Sequence, residues 1–260
     1  MTPQTNQTIE TPKKILVGVN SLTEIQWQAY NTHIQFFYRL GKDFPDMQVA
    51  FVNPSRYSID KMRNMCCTIA VNQDFDYVLF LDDDVLPPSD ALQRLLACNS
   101  DIAAGDVIIR GYPFNHMCFQ YTNAEKNDLA QVTEYPEGQH LSVDAVGCSL
   151  TLIKVSFLKK MTAPYFITGL NCTEDIYFCL KARDLDPDCT ITVDTKLTCG
   201  HILWPEVMSS LNKKDYKGYF EKQNPSVLKI APPSNLRIER VGSDISYEDV
   251  VRNQMKDGLL

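Results

Sequence analysis

The sequence predicts an α/β fold in which helices flank one mostly parallel central sheet. The first observation behind this prediction is that strand-like apolar runs alternate with helical patterns through the first half of the chain. The second is length, because 260 residues suffice for one large domain with a substantial core. The third is composition, since 44% hydrophobic and 22% charged residues are typical of a globular protein.

Each element of the first half has its own signal. Short apolar runs indicate buried strands, and apolar residues three or four positions apart indicate helices. Gly41 is the expected end of the first helix, and Pro87 and Pro88 introduce the third. The predicted elements are strands at 13–20, 47–53 and 77–82 and helices at 22–40, 58–72 and 90–97.

The second half continues with segments that are rich in strand formers, separated by a polar stretch at 115–139. The predicted elements are strands at 100–109, 142–154 and 190–195, a helix at 174–185 and an extended run at 197–205. We therefore expect a disordered tail at 1–12, a main domain at 13–225, and an extension at 226–260 with a short helix at 246–258.

Charge and cysteine content narrow the function classes. The formal net charge of −7 argues against a general binder of nucleic-acid backbones. No segment has the roughly 20 apolar residues of a membrane helix, and the N-terminus lacks the apolar core of a secretory signal. Nine cysteines without a C-x-x-C pair indicate buried thiols in a reducing compartment. We expect a soluble, cytoplasmic protein.

Three consecutive aspartates follow the predicted strand at 77–82. Residues two apart in an extended chain share a side, so Asp82 and Asp84 would project together and Asp83 away from them. Ligands of open α/β sheets bind outside the carboxyl ends of the strands, where this cluster lies. Two close carboxylates fit a divalent ion such as Mg²⁺ or Mn²⁺ with attached phosphates. The alternative is a solvated turn before the prolines.

Two further motifs carry acidic or imidazole groups. Glu174 and Asp175 follow Thr173, where acids favour the first turn of a helix, and one of them could also face a cleft as a general base. His201 follows Gly200 after a strand and could donate a neutral imidazole to a metal, although a histidine in such a position more often has a structural role.

In this order and at these distances, VLFLDDD, VDAVGCSLTLIK, TEDIYFCLKARDL and CGH resemble the motifs of GT-A-fold glycosyltransferases of the family-2-like group. The resemblance covers about residues 13–204 and is greatest to short single-domain members of bacteriophage and bacterial genomes. It implies the nucleotide-diphospho-sugar transferase fold, with a Rossmann-like sheet. It also implies a metal-dependent enzyme that transfers a hexosyl or pentosyl group from a UDP- or GDP-linked sugar to an acceptor hydroxyl.

The resemblance also implies roles for individual residues. Asp84 and His201 would ligate Mn²⁺ or Mg²⁺, Asp82 would contact the ribose or the metal, and Asp175 would be the base of an inverting transfer. Glu174 would hold the acceptor or the sugar. The expected nucleotide-sugar contacts are Asn20, Ser21, Asn53 or Ser55, Arg63, Asp82, Asp83 and Gly147.

Several alternatives stay open from the sequence. A histidine in the G-H motif also occurs in retaining members, and the second strand lacks the aspartate that many relatives use for the base or ribose. The same acids could instead form a two-metal nuclease or phosphotransferase site, or the chain could be a non-catalytic carbohydrate-binding relative. The acceptor is open too, a glycoconjugate or a modified nucleic acid among the choices. Segment 111–140 and the lysine-rich stretch after Pro205 are its expected walls.

Overall fold

The structure is a computed structural model that describes residues 12–21, 24–123, 128–135, 138–169, 172–203, 206–211, 213–214, 217 and 236–237. The helices are α1 (Trp27–Asp43), α2 (Ile59–Asn72), α3 (Ala91–Ala97), α4 (Val155–Leu158) and α5 (Glu174–Leu185). The strands are β1 (Lys14–Asn20), β2 (Gln48–Val52), β3 (Tyr77–Asp82), β4 (Val85–Leu86), β5 (Ile102–Asp106), β6 (Cys118–Asn123), β7 (Asp128–Gln131), β8 (His140–Ser142), β9 (Ala145–Val146), β10 (Leu150–Lys154), β11 (Ile191–Thr198), β12 (Gly200–Leu203), β13 (Glu206–Met208) and β14 (Leu236–Arg237).

The central sheet confirms the predicted fold class. Its strand order is β2-β1-β3-β10-β5-β11-β8. The pairs β1–β2, β1–β3 and β5–β11 are parallel, whereas β10 and β8 are antiparallel to their neighbours. Five of the seven strands within the described residues therefore run in one direction. Two smaller sheets accompany the central one, with orders β13-β12-β4 and β14-β7-β6-β9.

Strand alternation divides the core into two layers. On β3, Leu79 and Leu81 pack into the layer that holds α1 and α3, whereas Val78 and Phe80 pack into the layer that holds α2, α4 and α5. All four side chains are fully buried. Because the strand is covered on both faces, it appears in the sequence as an uninterrupted apolar run. Burying each such side chain contributes about 1.5–3 kcal/mol.

One edge of the central sheet collects the predicted site residues. The parallel strands β1 and β3 end there at Asn20 and Asp82, which are partners in the ladder. Cys148 and Ser149 reach the same edge from the other direction, because they precede the antiparallel strand β10 and Ser149 accepts the backbone N–H of Asp82 at 2.9 Å. The topology therefore gathers distant parts of the chain at the carboxyl end of β3.

Two predicted elements differ more than the others from the structure. The first helix runs from Trp27 to Asp43 and passes through Gly41, which was wrongly predicted to end it. The predicted strand at 142–154 is divided into the end of β8, β9 and β10, since β8 pairs with β11, β9 with β6 and β10 with β3 and β5. The continuous sequence pattern reflects burial in successive sheets and does not reveal the changes of partner.

Other sequence predictions have different outcomes. The prediction of buried thiols is confirmed, since all nine cysteines are free and all but Cys98 are buried. Among the described helices, none combines the length and apolarity that a bilayer crossing requires. The tail at 1–11 and the helix at 246–258 lie outside the described residues. Within the extension, Leu236–Arg237 pairs with β7.

His33 joins α1 to the strand that follows the aspartates. Its Nε2 donates to the carbonyl oxygen of Val85 at 2.8 Å, and its side chain is buried. Burial lowers the pKa of His33, outweighing the opposite effects of that hydrogen bond and of the Asp84 charge. The neutral ring therefore stabilises the fold fully above the unfolded-state pKa of about 6.5. This contribution is lost as the pH falls through the lower pKa of the folded state.

We expect His33→Gln to flatten the loss of stability on acidification. A glutamine amide can still donate to Val85, but it does not titrate. Between pH 7 and pH 5 the wild-type free energy of unfolding should fall more steeply, by at most about 1.4 kcal/mol per pH unit. Urea unfolding at both pH values measures the difference. Equal slopes for the two proteins would contradict the prediction.

Candidate active site

Arg63, which is buried on α2, connects two acidic motifs. Its Nη2 donates to both carboxylate oxygens of Asp82, at 3.2 and 3.3 Å, and its Nε donates to Glu174 Oε1 at 3.2 Å. Its Nη1 donates to the carbonyl oxygen of Cys148 at 2.6 Å. Burial alone would lower the pKa of Arg63, but the neighbouring acids raise it above its ordinary value. The guanidinium is therefore charged, and it holds Asp82, Glu174 and the backbone of Cys148 together.

The three consecutive aspartates have different partners. Strand β3 ends at Asp82, and Asp83 and Asp84 form a turn, so the alternation assumed from the sequence does not extend to Asp84. Asp82 accepts from Arg63, whereas Asp83 accepts from the side chain of Ser21. Burial raises the pKa of both carboxyls, with Arg63 and Ser21 respectively opposing it. Asp84 is the member of the three that turns toward the histidine.

Asp84 lies between two groups that can carry positive charge. Its Oδ1 is 3.6 Å from His201 Nε2, and its Oδ2 is 2.9 Å from Arg110 Nη1. Burial alone would raise the pKa of Asp84, but a protonated His201 and the charged Arg110 together lower it. The carboxylate is therefore ionised at neutral pH.

Main-chain pairing brings the histidine to the aspartate. Strand β12 pairs with β4 so that His201 lies opposite Val85, one residue after Asp84. The backbone N–H of Ile202 also donates to the carbonyl oxygen of Asp84 at 2.9 Å. The two side chains are thus positioned by a β-ladder although they are 117 positions apart in the sequence.

The Asp84–His201 pair fits a divalent ion. His201 Nδ1 lies 2.7 Å from the carbonyl oxygen of Ile108, which can only accept, so Nδ1 carries a proton. In the neutral ring Nε2 then has its lone pair free, which is the arrangement that backbone contacts give to metal-binding histidines. The 3.6 Å separation from Asp84 is too long for a hydrogen bond.

Within the described residues, no three His, Cys, Asp or Glu side chains converge as a metal site. A two-residue site is compatible with Mg²⁺ or Mn²⁺, because such ions keep waters and phosphate oxygens as further ligands. Asp82 is held by Arg63, and its part in ligating the ion stays a prediction.

One loop contacts both Asp84 and His201. Met117 donates its backbone N–H to Val107 at 2.9 Å, and Ile109 donates its own to Asn115 at 2.9 Å. Residues 107–117 therefore form a hairpin-like turn, called the 107–117 loop below. It supplies the carbonyl of Ile108 that fixes His201 and the guanidinium that contacts Asp84. Part of this segment, from residue 111 onward, was predicted to be an acceptor wall, and its contacts with the acidic cluster were not predicted.

Asp175 lies at the first turn of α5 and is buried. Its Oδ1 accepts from the hydroxyl of Thr173 and, at 2.8 Å, from the backbone N–H of Ile176. Its Oδ2 faces Gly147, where a Cβ would come within 3.4 Å of that oxygen and 2.4 Å of Met117 Cε. Oδ1 is thus engaged by the helix terminus, and the backbone of Gly147 passes close to Oδ2 and to Met117, where a Cβ would collide with the Met117 side chain.

Asn20 stands out among the buried polar residues of this edge. It is 3% exposed, and neither its Oδ1 nor its Nδ2 has a hydrogen-bond partner among the described residues. Such an unpaired amide costs about 1–3 kcal/mol in the free protein. Ser21, which follows it, forms a parallel bridge with Ser55, while Asn53 is exposed at the end of β2. These are the residues predicted to contact the nucleotide.

We expect Asn20→Leu to stabilise the free protein and to weaken ligand binding. Leucine has the same number of side-chain heavy atoms in a similar branched shape and removes the unpaired amide, so the free energy of unfolding should rise by about 1 kcal/mol. Denaturant unfolding measures this change, and calorimetry with UDP and GDP measures binding. A destabilised variant with unchanged nucleotide affinity would show that Asn20 has a purely structural role.

A second buried cluster lies beneath the 107–117 loop. His116 Nδ1 is 2.7 Å from Asp106 Oδ1, and its Nε2 is 2.6 Å from Lys213 Nζ. The ring of Tyr135 lies 4.0 Å from that of His116. Lys213, from the lysine-rich stretch, also donates to the carbonyl of Thr133 at 3.3 Å. The cluster therefore ties this stretch to the base of the loop.

The contacts made by the 107–117 loop and by this buried cluster were not predicted from the sequence. Arg110 lies in the segment IIRGYP, which has no motif character, and Asp106 and His116 are ten residues apart without metal-ligand spacing. The contact between Arg110 and Asp84 depends on the path of the loop and has no signal in the sequence. The carbonyl contacts of Cys148 and Ile108 have no signal in the sequence at all.

No protein-family model and no curated protein matches the chain. Among solved structures, the protein is similar to the crystal structure of A197 from STIV, with a TM-score of 0.52 and 20% sequence identity. That match covers 73% of this chain and 86% of A197. The protein is also similar to GalNAc-T7 with UDP, GalNAc and Mn²⁺, with a TM-score of 0.48 and 14% identity. That match covers 95% of this chain and 55% of the other. The similarity to A197 shows a shared fold and says nothing about activity.

Proposed function

We propose that the protein is a metal-dependent glycosyltransferase of the GT-A type. It would move a sugar from a nucleotide-diphosphate donor to an acceptor hydroxyl. The observation that carries the proposal is the approach of Asp84 and His201 at the carboxyl edge of the sheet, with the His201 ring fixed through its Nδ1. The order of the DDD, ED and GH motifs, which resembles that of family-2-like enzymes, supports the same function.

The donor would lie along the carboxyl edge of the sheet. Asn20, with both amide atoms unpaired within the described residues, can donate to and accept from a nucleobase. Ser21 and Asn53 flank the same position at the ends of β1 and β2. Arg63 would act indirectly, by holding Asp82 and Glu174 in place, because it donates its hydrogen bonds to Asp82, Glu174 and Cys148.

Asp84 and His201 would hold Mn²⁺ or Mg²⁺, which supplies Lewis-acid stabilisation of the charge that builds on the leaving diphosphate. The pairing of β12 with β4 holds these two ligands in place before the donor binds. Because the ligands are already in place, no free energy is needed to rearrange them when the negative charge develops in the transition state.

Asp175 would accept the proton of the acceptor hydroxyl. Thr173 and Ile176 hold its Oδ1, which leaves Oδ2 to receive the proton beside Gly147. The acceptor oxygen, as it gives up its proton to Asp175, would form a bond to the anomeric carbon on the face opposite the diphosphate while the bond to the diphosphate breaks, which inverts the anomeric centre. Glu174 is bound to Arg63 and would shape the site through that ion pair.

Hydrolysis of a panel of nucleotide-sugars with and without Mn²⁺ tests the proposed function. Metal-dependent release of one nucleoside diphosphate would support it and would identify the donor without knowledge of the acceptor. Cleavage of oligonucleotides without turnover of any nucleotide-sugar would favour the two-metal nuclease instead. Sugar binding without turnover of either substrate would favour a non-catalytic relative.

A further inference from the structure

Arg110 occupies a position that the proposed function does not explain. Its Nη1 lies 2.9 Å from Asp84 Oδ2, and its side chain is 51% exposed. The guanidinium therefore contacts one oxygen of the same carboxylate whose other oxygen faces His201. A divalent ion and Arg110 would compete for the negative charge of Asp84.

The two arginines of the site differ in freedom. Arg63 is 2% exposed and uses Nε, Nη1 and Nη2 in hydrogen bonds to the protein. Arg110 lies in the 107–117 loop and contacts Asp84 from the solvent side. A half-exposed ion pair is weak and can exchange partners at low cost. A guanidinium also matches phosphate oxygens in a bidentate geometry.

We propose that Arg110 exchanges between Asp84 and the donor diphosphate. The exchange rests on the proposed function. When a divalent ion neutralises Asp84, the guanidinium leaves the carboxylate and binds the diphosphate. Arg110 is thus a competitor of the metal in the absence of nucleotide and a ligand of the nucleotide in its presence.

The surrounding contacts allow the Arg110 side chain to move without movement of the loop backbone. The backbone of the 107–117 loop is closed by the bonds between Val107 and Met117 and between Ile109 and Asn115. Ile108 is fixed to His201 in the same loop. The loop can therefore keep its position while the Arg110 side chain moves. The metal ligand His201 is not disturbed by the exchange.

Two binding measurements on Arg110→Gln test the proposal. Titration of Mn²⁺ without nucleotide, followed by the electron paramagnetic resonance of the free ion, should show about two- to fivefold tighter binding than in the wild type. Calorimetric titration of UDP at saturating Mn²⁺ should show about tenfold weaker binding or more. GDP replaces UDP if the wild type binds GDP instead.

Arg39→Gln is the matched control. Arg39 also forms a half-exposed ion pair, with Asp43 at 3.0 Å, but it lies near the end of α1, at the opposite edge of the sheet. It should bind both probes like the wild type. Arg110→Lys keeps the positive charge without the planar fork, so its UDP affinity should lie between those of the wild type and Arg110→Gln. Thermal unfolding confirms that each variant is folded.

Unchanged or weaker Mn²⁺ binding by Arg110→Gln would overturn the competition, and unchanged UDP binding would overturn the contact with the diphosphate. Either result, with a wild type that binds Mn²⁺ and nucleotide, leaves the proposed function intact. A wild type that binds neither UDP nor GDP with Mn²⁺ would instead contradict the proposed function, and this inference with it.

Discussion

Asp84→Asn is expected to lower metal-dependent turnover of the nucleotide-sugar donor by about 100-fold or more. Residues that merely orient a metal ligand cost about 10- to 100-fold when they are changed, and Asp84 would be a ligand itself. The amide keeps the shape of the side chain but loses the charge that attracts the ion. Initial rates of donor hydrolysis over a range of Mn²⁺ concentrations measure the effect.

Asp83→Asn is the charge-matched control for this experiment. Asp83 adjoins Asp84 but accepts a hydrogen bond from Ser21. It is a predicted contact of the nucleotide and not of the metal, so Asp83→Asn should reduce turnover less and should keep the wild-type dependence on Mn²⁺. Excess Mn²⁺ should partly restore the Asp84 variant and should have little effect on the Asp83 variant. Equal losses in the two variants would show that the local negative charge matters and that Asp84 is not a specific ligand.

Asp175→Asn is expected to slow sugar transfer by about 100- to 10,000-fold while Mn²⁺ and nucleotide binding are retained. The asparagine oxygen can still accept from Thr173 and from the backbone of Ile176, so the start of α5 should stay intact. What the variant loses is the basic oxygen beside Gly147. Single-turnover transfer to an acceptor, together with calorimetry of UDP and Mn²⁺, separates chemistry from binding.

Glu174→Gln distinguishes the two acids of the motif. Glutamine can still accept from Arg63 Nε, but the buried ion pair is lost, so the main effect should be lower stability. If Glu174→Gln abolished transfer in a folded protein and Asp175→Asn did not, the base would be Glu174. Loss of nucleotide binding in Asp175→Asn would likewise contradict its assignment as the base.

The elements that were predicted well are those whose signal is local. The segment at 77–82 forms β3 within the predicted limits, because a strand buried on both faces must be apolar throughout. The helix at 174–185 also has the predicted limits. The segment at 142–154 failed because three short strands that pair with different partners share one apolar pattern.

The site was predicted only where topology makes position informative. Asp82 and Asp84 were placed at the carboxyl edge of the sheet, because ligands of open α/β sheets bind there, whereas Asn20 was proposed only from the family resemblance. The bond from Arg63 to Glu174 joins residues 111 positions apart, and that pairing could not be read from the sequence. Arg110 was missed for the same reason, since its contact with Asp84 depends on the path of the 107–117 loop. The catalytic roles themselves stay predictions.

Nucleotide binding by the wild-type protein, measured by calorimetry with and without Mn²⁺, tests the central claim most directly. UDP or GDP should bind at least tenfold more tightly with Mn²⁺ than without it, and Asp84→Asn should abolish this difference. Binding of neither nucleoside diphosphate, or equal binding with and without Mn²⁺, would contradict the proposal that Asp84 and His201 hold a metal ion for a nucleotide-sugar donor.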